Sequence, residues 1–164
     1  MADSKALQTP TDLNRNDTKS VAEALNSALA DSFALYFKTK NFHWHVSGPH
    51  FRDYHLLMDD QAAQIYAITD AIAERVRKTG NTTIRSIGDI ARRQTLKDND
   101  SEFVSATDML AELRDDNLKL VESFRAVKEA AEAAGDNATS GIVDEWTDQA
   151  EERAWFLFEA SRKG

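Results

Sequence analysis

"NFHWHVSGPHFRDYHLLMDD", residues 41–60, decides the reading of this chain, because it joins two helical patterns and holds all four histidines. Gly48-Pro49 lies at its centre. Glycine suits the left-handed residue that closes a helix, and proline cannot continue one. Upstream, Val21, Ala24, Leu25, Ala28, Leu29, Leu35 and Tyr36 recur at three- and four-residue steps with Phe33 and Phe37 beside them. This is the period of an amphipathic helix, expected to start at a Thr18 or Ser20 cap and run to about His45. Downstream, Leu56, Leu57, Ala63, Ile65, Ile68, Ile72 and Val76 predict a second helix from about Phe51 to Lys78, closed by Gly80.

Working outward, residues 81–101 form a connector in which Ile84, Ile87 and Ile90 suggest a short helix. A third long helix is expected over 105–133, on Met109, Leu110, Leu113, Leu118, Leu120, Val121, Phe124 and Val127. A fourth is expected over about 139–161, on Ile142, Val143, Trp146, Ala150, Trp155, Phe156 and Phe158. Four helices with one longer crossover between the second and third predict an all-α, ferritin-like four-helix bundle with a short helix in that connection. Residues 1–17 show no apolar period and read as a flexible N-terminal tail, with the bundle domain over 18–164.

Composition narrows the function. The chain has 164 residues, 41% apolar and 29% charged, which suits one soluble domain. There is no cysteine, so thiolate zinc sites, disulfides and cysteine nucleophiles are excluded. No apolar run reaches the roughly 20 residues that span a membrane, and the start lacks the layout of a signal peptide. These features point to the cytoplasm. A formal charge of −8 argues against nucleic-acid binding by the whole surface.

Spacing then sorts the histidines. Within a helix His43 and His45 point about 200° apart, so they cannot share one ligand. His50 sits in the break; it and His45 read as exposed or turn residues. His43 alone also reads as a cation near a helix C-terminus. His55 has Asp59 four residues on, and Asp70 has Glu74 four residues on, so each pair shares a helix face. The pairs are fifteen residues apart, or roughly 22 Å along the axis and close to four whole turns. One chain cannot bring both to one ion. Two antiparallel copies related by a two-fold axis could, giving two equivalent sites with nitrogen and carboxylate ligands suited to iron, manganese or zinc. His43 could add a further nitrogen. A bundle-internal di-iron site needs Glu-x-x-His on two helices, and no histidine here has a glutamate three positions before it.

At these residues the sequence closely resembles the Dps family, the ferritin-like DNA-binding proteins from starved cells. The matching text is "HWHVSGPHFRDYHLLMDD" at 43–60, then "ITDAIAERV" at 68–76, with "GD" at 135 and "WFL" at 155 also similar. The family pattern is met at His43, Trp44, Gly48, Phe51, His55, Asp59, Asp70, Ala73, Glu74 and Arg75. The resemblance implies a ferroxidase centre with His43, His55 and Asp59 from one chain and Asp70 and Glu74 from its partner. It also implies a hollow homo-oligomer of about twelve subunits, a dodecamer, that oxidises Fe(II) with hydrogen peroxide or oxygen and stores ferric mineral, protecting against oxidative stress. Trp44 is then placed to take up stray oxidising equivalents, or else packs an interface. His45 stands where the family often has Asn, and Leu56 where many members have Glu. Asp136, Asp144, Glu145 and Asp148 are candidates for an iron-entry pore, while Gly141 stands where an acidic residue is common. DNA-binding members commonly use basic tails. This tail is near neutral through Lys19, so DNA binding is expected to be weak or absent. The alternative function is a DNA-coating, nucleoid-associated shell with little iron chemistry.

Overall fold

The computed structural model describes residues 4–163. After a short 3-10 turn, Ser4–Leu7, five helices follow: α1 (Arg15–His45), α2 (Phe51–Lys78), α3 (Ile87–Arg93), α4 (Ala106–Ala133) and α5 (Asn137–Ser161). No strand occurs among the described residues. The fold class is therefore all-α, and the long helices form two antiparallel hairpins, α1–α2 and α4–α5, joined by the crossover that carries α3. α2 has the bounds expected from its sequence. α1 starts three residues before the expected Thr18, because Asn14 is the cap and accepts from the Asn16 backbone N–H at 2.9 Å. Thr18 instead turns inward and donates to the Arg15 carbonyl. α5 likewise starts at Asn137, capped by Asp136.

The bundle core is the apolar stripe of each long helix. Leu25, Leu29, Leu35 and Phe42 of α1 meet Met58, Ile65, Ile72 and Val76 of α2, and α4 and α5 add Leu113, Phe124, Val143 and Trp146. Each fully buried side chain of this size contributes about 1.5–3 kcal/mol of transfer free energy. Several apolar residues expected inside lie at the surface. Phe37, Leu56, Leu118, Trp155, Phe156 and Phe158 are all exposed. Their period is helical, but these side chains lie outside the buried core cluster.

Polar side chains fix the crossover. The buried carboxylate of Asp31 in α1 accepts from the Thr95 N–H at 2.6 Å, the Thr95 hydroxyl at 2.6 Å and the Leu96 N–H at 3.1 Å. Asn26 donates to the Thr82 carbonyl at 3.1 Å and accepts from the Thr83 hydroxyl at 2.7 Å. Together they lay the connector along α1. α3, capped by Ser86, follows as expected, yet Ile87 is 82% exposed and belongs to no core.

The segment before α1 packs against the end of α2. Arg77 Nη2 donates to the Leu7 carbonyl at 2.7 Å. Gly80 has a φ of +86° and lies so close to the segment that a Cβ there would sit 3.1 Å from the Thr9 carbonyl oxygen. Both the backbone conformation and the close approach require glycine at this position.

Candidate metal centre

The α1–α2 turn brings His43 and His55 together. Their rings stack at 3.8 Å between centroids with 16° between planes. His43 Nδ1 donates to the His55 carbonyl at 2.7 Å, and His55 Nδ1 donates to the His43 carbonyl at 2.8 Å. A carbonyl oxygen can only accept, so both Nδ1 atoms carry the hydrogen. In each neutral ring Nε2 then keeps the lone pair that a metal uses. The reciprocal pair supplies the orienting contacts that metal-binding histidines require. Phe51 stacks on the other face of His55 at 5.0 Å, so His55 is held between two rings.

Asp59 lies one turn further along α2. Its Oδ1 is 3.8 Å from His43 Nε2 and accepts a hydrogen bond from Lys40 Nζ at 2.8 Å. That bond from Lys40 holds the Asp59 carboxyl below the usual carboxylate value, against some desolvation, and the Lys40 charge acts in the same direction. Lys40 is a contact that reading the sequence alone missed: it is nineteen residues from Asp59 and gives no motif signal. It competes directly with a cation for the carboxylate. Lys40→Ala is expected to tighten Fe(II) or Co(II) binding a few-fold, a small gain because exposed ion pairs are weak. Isothermal titration of the wild type and variant checks this; unchanged or weaker binding counts against the competition.

Asp70 and Glu74 are exposed and have no side-chain partner among the described residues. They stand roughly 22 Å along α2 from the histidine end. Among the described residues no group of three or more histidine, aspartate or glutamate side chains is gathered to hold a metal by itself. The interior of the bundle is unsuited to a cation for a different reason. Its polar layer holds Lys38, whose Nζ donates to Asp116 at 2.7 Å, and Arg153, whose Nε donates to Asn117 at 2.8 Å. Arg153 is 1% exposed, and its Nη1 and Nη2 have no hydrogen-bond partner among the described residues. Burial lowers the Arg153 guanidinium to about 10, so it stays charged at neutral pH.

The remaining candidates separate clearly. His45 Nδ1 is spent on the Asn41 carbonyl and Asn41 Oδ1, both at 2.8 Å. His50 is exposed in the turn and makes no side-chain cap. Trp44 is 55% exposed, with its ring edge-on to Phe37 and Lys40 Nζ 5.9 Å from its centroid. Asp136 is withdrawn from any pore. It is 2% exposed, caps α5 through the Thr139 N–H, and accepts from Arg75 Nη2 at 3.2 Å. Asp144 is paired with Lys128 at 2.9 Å. Glu145 accepts from Gln149 at 3.4 Å, whereas Asp148 is exposed and has no hydrogen bond or ion pair among the described residues.

With this geometry in view, comparison with known proteins places the chain. Residues 22–163 match the model of the ferritin-like domain. A low temperature-induced protein of Nostoc is 36% identical over 146 residues, 88% of this chain and 82% of that one. The DNA protection during starvation protein 1 of Deinococcus radiodurans is 29% identical over 145 residues, 88% of this chain and 70% of that protein. The structure of DpsC from Streptomyces coelicolor superposes with a TM-score of 0.91 at 25% identity, covering 96% of this chain and 92% of that one. The chain belongs to the Dps family of ferritin-like proteins. The Dps family thereby accounts for the two-hairpin bundle and the crossover.

Proposed function

We propose that this Dps-family protein oxidises Fe(II) with hydrogen peroxide at centres shared between two-fold-related chains, and stores the ferric product in a hollow assembly of about twelve subunits. The observation that carries the reading is the division of α2. Two oriented imidazoles and Asp59 lie at one end, two carboxylates without a side-chain partner lie at the other, and nothing among the described residues joins them. An antiparallel pairing about a two-fold axis completes both halves at once.

In this arrangement His43 and His55 offer Nε2 to Fe(II), the substrate. Asp59 joins them after release from Lys40. Asp70 and Glu74 of the partner subunit close the centre, and their charge favours the ferric product over Fe(II). Two Fe(II) held together supply both electrons that peroxide needs. One peroxide and two protons then give two waters, and no hydroxyl radical is released. Trp44, beside His43, takes up oxidising equivalents that escape this pairing. The formal net charge of −8 keeps DNA binding weak in this reading, which implies a cytoplasmic protein.

The test is peroxide consumption with and without Fe(II). The wild type is expected to consume one peroxide per two Fe(II). Asp70→Ala with Glu74→Ala is expected to lose more than about 100-fold in rate, because changes merely outside a metal's ligand set already cost 10–100-fold. Wild-type activity in that variant would sink the reading.

A further inference from the structure

Two tyrosines lie on the face that the proposed pairing covers, and the ferroxidase chemistry above gives them no task. Tyr36 of α1 and Tyr66 of α2 meet with ring centroids 5.2 Å apart and a 43° tilt. Tyr66 is 57% exposed. Neither hydroxyl has a hydrogen-bond partner among the described residues. Both rings line an apolar hollow of about 550 Å³ with Phe33, Phe37 and Ile87.

The register of α2 places Tyr66 more closely. Eleven residues separate it from His55, a residual rotation of about 20°, so it lies on the stripe that runs from His55 and Asp59 to Asp70 and Glu74. A two-fold axis that brings the ends of that stripe together must cross α2 midway, between residues 64 and 65. Tyr66 is then about 2 Å along the helix from the axis. Its symmetry-related copy lies opposite, and Tyr36 lies behind each. The two centres of a pair are roughly 22 Å apart, and the phenols occupy the middle of the gap. Tunnelling decays exponentially with distance, so dividing the gap makes transfer across it far faster.

Resting on the function proposed above, we infer that Tyr36 and Tyr66, with their copies, form a one-electron relay joining the two iron centres of a two-fold pair. The relay matters when each centre holds one Fe(II). That ion alone supplies one electron, and one-electron cleavage of peroxide releases hydroxyl radical. A phenol supplies the second electron and a proton: Fe(II), hydrogen peroxide, the phenol and one further proton give Fe(III), two waters and a phenoxyl radical. The radical passes along the phenols toward the second centre. There, the other Fe(II) returns an electron and water returns a proton, restoring the phenol and leaving Fe(III). Two half-filled centres thus act as one two-electron reductant.

The experiment compares wild type with the Tyr36→Phe, Tyr66→Phe double variant, both checked for intact assembly. Each is loaded anaerobically with one or two Fe(II) per subunit and given peroxide. Freeze-quench EPR and spin trapping are the readouts. At one Fe(II) per subunit the wild type is expected to show a tyrosyl signal and little trapped hydroxyl radical. The double variant should lose the signal and trap severalfold more hydroxyl radical. At two Fe(II) per subunit both should consume peroxide at the same rate. Equal trapping at low loading, or a radical signal that survives in the double variant, overturns the relay while leaving the ferroxidase intact. A wild type that consumes no peroxide even at full loading overturns the ferroxidase itself, and the relay with it.

Discussion

Assemblies formed by co-refolding equal amounts of His43→Ala and Asp70→Ala chains are expected to recover about a quarter of the wild-type peroxide-consuming rate, although each variant alone is nearly inactive. The reason is the division of α2. In a two-fold pair of unlike chains, one centre combines the damaged histidine end with the damaged carboxylate end. The other combines an intact histidine end with an intact carboxylate end. Random pairing makes about half of the pairs unlike, and half of their centres are whole. A centre contained in one chain predicts no recovery at all. The measurement is the initial rate of Fe(II)-dependent peroxide loss, with the mixing checked by mass spectrometry of the intact assembly. Failure to exceed the mean of the two parent rates would exclude the shared centre.

The second large effect concerns stability. Asp116→Ala is expected to destabilise the subunit by about 3–5 kcal/mol, because it leaves the buried ammonium of Lys38 without its close partner. Lys38 is 6% exposed and Asp116 is 5% exposed. Glu112, 3.9 Å from Lys38 Nζ, compensates only in part. Replacing both residues, as Lys38→Met with Asp116→Leu, removes the two desolvated charges together and should restore most of the loss. Chemical denaturation of the three proteins checks this. A single variant within the error of wild type would mean that the pair contributes nothing.

The same carboxylate sets a pH dependence. Burial raises Asp116 above the ordinary value of 3.8, and the bond from Lys38 offsets only part of the rise. The unfolded chain therefore loses this proton at lower pH than the native chain does. Between the two values the native state binds more protons, so stability from this group declines as pH rises through the window. Asp116→Asn should flatten that decline.

Particular residues show what could be read locally. Gly48-Pro49 and the period of Ile65, Ile68, Ile72 and Val76 gave the bounds of α2 without error. The i,i+4 pairs His55/Asp59 and Asp70/Glu74, with fifteen residues between them, pointed to two separate half-sites in each chain. Other features were invisible to local pattern. Leu118, Phe156 and Phe158 keep helical spacing yet face away from the core. Asp31, Asn26 and Arg153 are buried, and their partners lie 36–65 residues away in the chain. Asp136 looked like any other surface acid until Arg75 and Thr139 were seen to enclose it.

The sequence by itself determined the helices, their breaks and the spacing of the proposed ligand residues along α2, because these depend on the 3.6-residue period and on backbone sterics. Only the tertiary structure decided how those residues are prepared. It set His43 against His55 with both Nδ1 hydrogens committed, placed Lys40 on Asp59, and filled the bundle interior with Lys38 and Arg153. These are contacts between helices, fixed by packing and by the pairing of buried polar groups. Residues far apart in the chain acquire such partners only when the helices meet.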